Sequence, residues 1–293
     1  MRLVLVAAVV LRMSLAFVAT PLTEKRRRLS AVDDERNSKF FGDEPVRASR
    51  PMRRSWRKAL ESANNKKKKV SQASEANEKR PQLLKIVGGE ARGRRLESPP
   101  TMLRPMMSKV REAMFSMLFS LGSFRAGQRL RVLDCFCGSG AVGCEALSRG
   151  AAFAAFVDIS ETACASAERN AKRCGYDETR AASVCETAES ALSRQSLCGG
   201  LKFDVLSLTP PYEEVTYSAL LDAVANSKIL NDDAIVVVEY PVELGLLPKT
   251  HGDQRQLVGL RNRRYGRTVL AFYAFRPTGA QPFQFKLEEF DSF

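Results

Sequence analysis

The sequence has little histidine and no paired-cysteine motif. Among its 293 residues His251 is the only histidine, and none of the seven cysteines stands in a Cys-x-x-Cys pair. Zinc sites take sets of three or four thiolate and imidazole ligands, so we expect no metal. An odd cysteine count also fits poorly with a disulfide-stapled secreted domain. We expect reduced core thiols, because apolar runs contain Cys135, Cys144, Cys164 and Cys185.

Long hydrophobic runs are also scarce, and the one near the N-terminus is short. Arg2 precedes the apolar residues 3–11, and Ser14 and Ala16 provide small side chains for cleavage after residue 16. This pattern predicts a signal peptide over residues 1–16, which is too short for a stable membrane-spanning helix. We therefore expect a mature protein without a membrane segment.

Residues 17–80 begin with Phe17 and are basic, although Asp33 to Glu35 form an acidic run. Because no sustained apolar period offsets the ordering entropy, we predict a disordered leader here. A signal peptide followed by a Phe-led basic segment resembles the two-part presequence of algae with complex plastids. That resemblance implies a transit peptide and the plastid stroma, and a secreted protein or another organelle is the alternative.

Positive charge is concentrated in the N-terminal part of the chain. Of the formal net charge of +13, residues 1–80 carry +11, residues 81–131 carry +7 and residues 132–293 carry −5. A basic stretch beside a mildly acidic body predicts a polyanionic partner at one face. Beyond the leader we divide the chain into an N-terminal segment that faces this partner (81–130), a main domain (131–276) and a C-terminal tail (277–293).

From residue 131, short β-rich runs alternate with helical runs. This alternation predicts right-handed βαβ units and an α/β fold with a mostly parallel sheet covered on both faces. Two final runs, 257–260 and 269–275, predict an antiparallel hairpin. Strands are predicted at 131–136, 154–159, 183–186, 203–208 and 234–240, and helices at 141–148 and 160–174.

The segment before this domain contains a predicted ribbon and a predicted helix. Residues 83–96 predict a short β-ribbon that turns at Gly88 and Gly89, and Ser108 begins the helix. Lys109 and Arg111 fall away from the apolar stripe of this helix. The stripe consists of Val110, Met114, Met117, Leu118 and Leu121.

A Gly-x-Gly-x-x-Gly motif over residues 138–143 separates the first strand from the first helix of the main domain. Asp158 ends the next strand, twenty residues after Gly138. The glycines allow close approach to a ligand, the helix start offers N–H donors, and the acidic side chain accepts ribose hydroxyls. NAD and S-adenosylmethionine both satisfy this description. Asp134 favours the latter, because a carboxylate attracts a cationic amino acid group and repels a pyrophosphate.

A second motif, Thr209-Pro210-Pro211-Tyr212, follows the fourth strand. The proline pair fixes a rigid turn whose carbonyl oxygens can accept hydrogen bonds from an exocyclic amine. Tyr212 can stack on the plane of a base. Alignment of that amine with a methyl donor is most of what methyl transfer requires. Glu239, at the end of the fifth strand, is expected to be a buried acid paired to a neighbour.

Together these motifs resemble those of the bacterial small-subunit ribosomal RNA guanine-N2 methyltransferases of the RsmD type. The similarity covers about residues 83–276, most closely 86–96, 104–105, 110–112, 133–150 and 265–266. It implies a class I, Rossmann-like methyltransferase fold with a seven-stranded sheet. It further implies S-adenosylmethionine as cofactor, a guanine N2 amine as acceptor, and ribosomal RNA or the small ribosomal subunit as partner. We expect a monomer.

The resemblance also implies roles for individual residues. The implied cofactor-binding residues are Asp134, Gly138, Gly140, Asp158, Thr187 and Ala188. The implied catalytic residues, which hold the target base, are Thr209, Pro210, Pro211 and Tyr212. The implied RNA-binding residues are Lys85, Arg92, Arg94, Arg95, Arg104, Lys109 and Arg111. This last set agrees with the independently derived basic charge of residues 81–131.

Thr209 departs from the family pattern, which has an acid or amide before the two prolines. A hydroxyl accepts a hydrogen bond but carries no charge to offset the positive charge that develops on the attacked nitrogen. A catalytically weak or silent RNA-binding relative is therefore a second hypothesis. An NAD-dependent oxidoreductase is a third, and DNA adenine methyltransferases share the motif after the fourth strand.

Overall fold

The computed structural model of the protein describes residues 84–99, 106–212 and 215–292. The expected leader segments, 1–16 and 17–80, lie outside these residues, as does Arg104 of the predicted RNA-binding set. The chain divides into two units after Lys79, and the fold described below is that of the unit Arg80–Phe293. Within the described part, no helix is long and apolar enough to cross a membrane.

A single mixed sheet forms the centre of this unit. Its strands are β1 (Arg131–Cys135), β2 (Phe153–Asp158), β3 (Ala181–Cys185), β4 (Phe203–Leu208), β5 (Leu230–Pro241), β6 (Thr250–His251), β7 (Leu257–Tyr265) and β8 (Thr268–Phe275). The described residues give the strand order β3-β2-β1-β4-β5-β8-β7-β6. Neighbours among β1 to β5 are parallel, whereas β8 and β7 are antiparallel.

This topology confirms the predicted α/β sheet with its C-terminal antiparallel hairpin. The expected count of seven strands is one too low for the described residues, because β6 adds a two-residue strand at the edge beside β7. A strand of two residues has no periodicity that a sequence pattern can reveal. The predicted hairpin strand at 257–260 is also longer in the structure, where it continues to Tyr265.

Five α-helices accompany the sheet among the described residues. They are α1 (Ser108–Ser120), α2 (Ala141–Ser148), α3 (Glu161–Arg173), α4 (Ala188–Ser193) and α5 (Tyr217–Ala225). The predicted start of α3 is confirmed, since the Ser160 side chain accepts a hydrogen bond from the Ala163 amide. Gly175 follows α3 with a φ of 95°, the left-handed conformation that ends helices. The sequence analysis missed α4 and α5.

Two apolar layers cover the two faces of the sheet. On one face Val132 of β1 and Phe156 of β2 pack with side chains of α1, α2 and α3. On the other face Leu133 and Val157, the neighbours of those two residues, pack with α4 and α5. Alternate residues of buried parallel strands therefore serve opposite cores, as the near-continuous apolar runs predict.

The predicted orientation of Arg111 is wrong, because its side chain is fully buried. On α1 the spacing that includes Arg111 continues through Met114, Phe115 and Leu118, which are also buried. The Arg111 guanidinium lies 3.4 Å from the Glu145 carboxylate of α2 and donates a 2.6 Å hydrogen bond to the Lys85 carbonyl. Arg111 is thus a structural residue and does not face RNA.

The predicted ribbon is present, and it is docked on α2. Lys85 and Arg95 form an antiparallel bridge, and Gly89, in the turn between them, has a left-handed backbone conformation. The Glu145 carboxylate accepts hydrogen bonds from the backbone amides of Val87 and Gly88, at 2.8 and 2.7 Å. One buried carboxylate therefore holds the ribbon and the Arg111 side chain to the helix that follows the glycine loop.

The segment described as a C-terminal tail packs against the β7–β8 hairpin. Phe290 is buried, and a Cβ atom added at Gly259 of β7 would lie 2.5 Å from its ring. The Glu289 side chain also accepts a 3.0 Å hydrogen bond from the Asn262 amide. Residues near the end of the chain therefore cover the outer part of the sheet.

Candidate functional site

The carboxyl ends of the parallel strands bring the two sequence motifs to one edge of the sheet. β1 is the neighbour of both β2 and β4, with Asp134 paired to Phe156 on one side and Ser207 on the other. The residues that follow these strands therefore lie together at one edge, at the point where the strand order reverses. Glu239, near the end of β5, lies at the same edge.

The glycine loop between β1 and α2 is tied to the end of β2. Gly138 has a φ of 51°, and its amide donates a 2.9 Å hydrogen bond to the Asp158 carboxylate. The other glycines serve close packing: an added Cβ would lie 2.7 Å from the Ala167 Cβ at Gly140 and 2.3 Å from the Phe156 ring at Gly143. For Gly140, predicted to bind cofactor, the structure thus provides a packing reason for glycine.

Asp134 is fully buried beneath this loop. One carboxylate oxygen accepts a 2.9 Å hydrogen bond from the Gly143 amide, at the start of α2. The other oxygen has no hydrogen-bond partner among the described residues. Burial raises the pKa of Asp134 to about 8, against the opposing hydrogen bond from Gly143. A buried carboxylate oxygen that lacks a partner is suited to a cationic or hydrogen-bond-donating ligand.

Asp158 already orders the loops on both sides of it. Its two carboxylate oxygens accept hydrogen bonds from the amides of Gly138 and Ser160, each at 2.9 Å. Each oxygen keeps a second lone pair, so the carboxylate can still accept ribose hydroxyls. The next residue, Ile159, is 73% exposed and offers an apolar surface at this edge. Sequence analysis missed Ile159, because a single apolar residue at a strand end resembles one that is buried.

Thr187 and Ala188 begin α4, directly after β3. The Thr187 hydroxyl accepts a 3.1 Å hydrogen bond from the Ser190 amide, and Ala188 is buried. The Glu186 amide donates to the Asp158 carbonyl at 3.0 Å. This links the end of β3 to the end of β2. Thr187 is therefore the N-cap of α4 at the same sheet edge as Asp158, and its role in cofactor binding stays a prediction.

Thr209 connects the second motif to the glycine loop. Its hydroxyl donates a 3.3 Å hydrogen bond to the carbonyl oxygen of Phe136, the residue that follows β1. Phe136 itself has a φ of 59°, an uncommon conformation for a residue with a Cβ. Pro210, the next residue, is buried, and Pro211 is half-buried. The structure therefore brings Thr209 and the cofactor-type loop into direct contact.

The Tyr212 side chain is held at its hydroxyl. That hydroxyl donates a 3.0 Å hydrogen bond to the Glu239 carboxylate and lies 3.1 Å from the Thr268 hydroxyl of β8. The Glu239 carbonyl accepts a further hydrogen bond from Tyr217 at 3.3 Å. The expectation that Glu239 is a buried, paired acid is confirmed, and Thr268 is a contact that sequence analysis missed. The half-buried ring is thus fixed between β5 and β8.

Apart from Arg111, the members of the predicted RNA-binding set that the structure describes lie on the surface. The exposed members are Lys85, Arg92, Arg94, Arg95 and Lys109. Of these, Arg94 donates a 2.9 Å hydrogen bond to the Arg173 carbonyl. The ribbon therefore presents cations to solvent while its backbone is attached to α2.

His251 lies away from this site, because its strand is the last in the order of the sheet. It lies on β6, at the outer end of the sheet, and its imidazole is 2.7 Å from the Asp222 carboxylate of α5. The structure thus gives the only histidine of the sequence a carboxylate hydrogen-bond partner. Within the three described segments, no group of three or more His, Cys, Asp or Glu side chains is arranged to hold a metal ion.

Comparison with known proteins agrees with this geometry. A family model described as conserved hypothetical protein 95 matches residues 84–274. The chain is 34% identical over 194 residues to the Bacillus subtilis (strain 168) protein YlbH, covering 66% of this chain and all of that protein. It is 31% identical over 164 residues to ribosomal RNA small subunit methyltransferase D of Escherichia coli (strain K12), covering 56% of this chain and 77% of that one.

Among solved structures, the Escherichia coli protein yhhF superposes with a TM-score of 0.56 and 27% sequence identity, covering 66% of this chain and 98% of that one. The strand order and the hairpin position are those of a class I methyltransferase fold. The matched family model spans the ribbon, the glycine loop and the motif after β4. The chain therefore belongs to the conserved hypothetical protein 95 family, that of the RsmD-type ribosomal RNA methyltransferases.

Proposed function

We propose that this chain transfers a methyl group from S-adenosylmethionine to the exocyclic N2 amine of a guanine in the small-subunit ribosomal RNA of an organelle. The observation that carries the proposal is the direct contact of the motif after β4 with the glycine loop, through the Thr209 hydroxyl and the Phe136 carbonyl. Two reactants held on these two segments are neighbours, which supplies the alignment that methyl transfer needs. Membership of the family supports the same reaction.

The residues at the sheet edge fit the proposed cofactor. Bound S-adenosylmethionine supplies a methyl group on a positively charged sulfonium, together with a cationic amino acid group. The buried Asp134 oxygen that lacks a partner among the described residues suits that cationic group. Asp158 accepts ribose hydroxyls, and the exposed Ile159 side chain offers an apolar surface to the adenine.

The segment after β4 fits the target base. Pro210 and Pro211 have no backbone N–H, so the polar backbone groups that they offer to a guanine amine are carbonyl oxygens. Tyr212, anchored through Glu239 and Thr268, presents a ring whose orientation is fixed before a base arrives. Such an anchored ring stacks on a base at little entropic cost.

The exposed cations of the ribbon and α1 are proposed to contact the phosphates of the RNA. They lie beside a main domain of opposite net charge, which directs a polyanion to the ribbon face. The presequence pattern of residues 1–80 supports import into the plastid stroma. The proposed substrate is accordingly the ribosomal RNA of that compartment, as naked RNA or within the small subunit.

The test is transfer of radiolabelled methyl groups from S-adenosylmethionine to unmodified small-subunit ribosomal RNA, naked and assembled. We expect label in guanine N2. Asp134→Asn, a control for the cofactor site, is expected to reduce cofactor affinity measured by calorimetry. Folded protein that binds S-adenosylmethionine but methylates no RNA would contradict the proposal.

Thr209 favours a second candidate, an RNA-binding relative with weak or no catalysis. The Thr209 hydroxyl already donates its hydrogen to the Phe136 carbonyl. It can therefore only accept a further hydrogen bond, and it does so as an uncharged group. Loss of one positioned polar group lowers a rate by on the order of 10²-fold. A rate gain of that size in Thr209→Asp supports an impaired enzyme, whereas a loss from a substantial wild-type rate shows that Thr209 suits this reaction.

A further inference from the structure

Three cysteines meet where β2 and β3 end. Cys164 lies in the first turn of α3, Cys185 is the last residue of β3, and Cys137 lies in the glycine loop. The thiols of both Cys137 and Cys185 influence the pKa of the Cys164 thiol. All three are free thiols, as are the other cysteines of the described residues. These three side chains are here called the thiol cluster.

Backbone contacts place the thiols of Cys164 and Cys185 at the ends of two paired strands, β2 and β3. The Cys164 sulfur lies 3.5 Å from the Asp158 carbonyl and 3.7 Å from the carbonyl of Val184, the residue before Cys185. The Cys185 sulfur lies 3.5 Å from the carbonyl of Ile159, the residue after Asp158. The register of β2 and β3 also pairs Asp158 with Cys185. Both sulfurs therefore contact carbonyl groups at the paired ends of β2 and β3, which places the two thiols beside each other.

Accessibility distinguishes the members of the cluster. Cys185 is exposed, whereas Cys164 and Cys137 are 6% and 7% exposed. A soluble oxidant therefore reaches Cys185 first. The hydrogen bond from Cys137 lowers the pKa of Cys164, so Cys164 has more thiolate character than its burial alone would give. Cys185 is thus suited to the first, intermolecular step and Cys164 to the second, internal step.

We propose that Cys164 and Cys185 are a thiol modification site that forms a reversible disulfide by exchange with a small soluble disulfide such as oxidised glutathione. The Cys185 thiolate attacks one sulfur of the soluble disulfide, which forms a mixed disulfide and releases one thiol. The Cys164 thiolate then attacks the Cys185 sulfur and releases the second thiol. The two cysteines lose two protons and two electrons, which the soluble disulfide takes up as two thiols.

This proposal is independent of the proposed methyl transfer, because it depends only on the folded arrangement of the thiols. The disulfide joins the first turn of α3 to the end of β3, beside Asp158. It also replaces the thiol hydrogen that Cys164 directs at the Asp158 carbonyl. The modification therefore occurs within the edge that carries the candidate cofactor residues.

The sequence allows a direct assay on the full chain. Trypsin cleavage after Arg and Lys gives peptide 150–169 with Cys164 alone, peptide 181–194 with Cys185 alone, and peptide 132–149 with Cys135, Cys137 and Cys144. After treatment with oxidised glutathione and alkylation, non-reducing mass spectrometry is expected to find 150–169 linked to 181–194. Dithiothreitol should abolish the linked species. The pKa of Cys185 is raised, and below that pKa the rate at which the linked peptide forms should increase about tenfold per pH unit.

Matched variants separate this pair from general thiol oxidation. Cys185→Ser is expected to abolish the linked peptide, and Cys198→Ser, at a half-buried cysteine in peptide 195–202, is expected to leave it unchanged. Cys144 and Cys174 also have contacting thiols, but both are buried, so they should stay reduced.

Three results would overturn the proposal: a stable glutathione adduct on Cys185, linkage of 132–149 to 150–169 instead, or linkage that forms only in denaturant. Circular dichroism on each variant verifies that the assay reads a folded chain.

Discussion

Replacement of the buried Arg111 tests the reassignment of this residue from RNA contact to structure. In Arg111→Met, the fully buried Glu145 carboxylate loses the guanidinium 3.4 Å away, while it keeps Arg149 at 2.8 Å and the two ribbon amides. Removal of one partner from a buried ion pair costs about 3–5 kcal/mol, and the remaining Arg149 contact favours the lower end. We therefore expect a loss of about 3 kcal/mol of unfolding free energy.

The assay compares thermal unfolding with RNA binding. For a domain of this size, that loss lowers the Tm by about 6–12 °C. Lys109→Ala, two residues away on the exposed face of α1, is the matched control and should leave the Tm unchanged. If Lys109 contacts a phosphate, Lys109→Ala reduces the magnitude of the slope of log K against log salt by about 0.7–0.9. Arg111→Met, measured at a temperature at which it is folded, does not change that slope.

A double variant sharpens the result. Glu145→Gln in the Arg111→Met background removes the buried charge left behind, so part of the lost stability should return. The reasoning is refuted if Arg111→Met keeps the wild-type Tm and weakens RNA binding with a reduced salt slope. That pattern would mean that Arg111 leaves its buried position and contacts RNA.

Three further predictions concern the candidate site. Tyr212→Phe loses the hydrogen bond to Glu239, and a less fixed ring should lower kcat by about tenfold with little change in cofactor affinity, as steady-state kinetics and calorimetry will measure. Because the folded pKa of Asp134 is raised to about 8, its protonated form stabilises the native state. As the pH rises from about 4 to about 8, the unfolding free energy of the wild type should therefore fall relative to that of Asp134→Asn, as measured by urea denaturation. Gly143→Ala places a Cβ 2.3 Å from the Phe156 ring, so overpacking should cost about 1–3 kcal/mol in the same denaturation assay.

Each of these predictions has a result that contradicts it. An unchanged kcat in Tyr212→Phe would mean that the ring needs no anchor. Parallel stability curves for wild type and Asp134→Asn would mean that Asp134 titrates as in the unfolded chain. For Gly143→Ala, the matched control is the double variant with Phe156→Leu, which relieves the clash; no recovery there would point to backbone strain instead.

The order of strands and helices along the main domain could be predicted in large part from the sequence, because local signals mark several of their limits. The bounds of α2 and β4 match the predictions, and Ser160 and Gly175 mark the limits of α3 as capping residues should. The glycine loop and the Thr209 segment both follow strands of a predicted parallel sheet, and such strands end at one edge. The Thr209–Phe136 hydrogen bond joins the two segments there.

Contacts between distant segments could not be predicted in the same way. The apolar stripe of α1 predicts an exposed Arg111. This prediction fails because the partner of Arg111, Glu145, lies on another helix, and no spacing within α1 reveals a buried counter-charge. The Thr268 contact of Tyr212 depends on the register of β8 against β5, which the sequence pattern leaves open. Tertiary pairing, and not local propensity, determined each of these positions.

The attachment of the ribbon by Glu145 has a mechanical consequence. The helix α2 begins directly after the glycine loop, and it also carries the Glu145 carboxylate that accepts hydrogen bonds from the ribbon amides. If the ribbon cations bind phosphates as proposed, they do so at a fixed distance from the glycine loop. Target nucleotides would then be selected by their distance along the RNA from the bound phosphates, before any base is recognised.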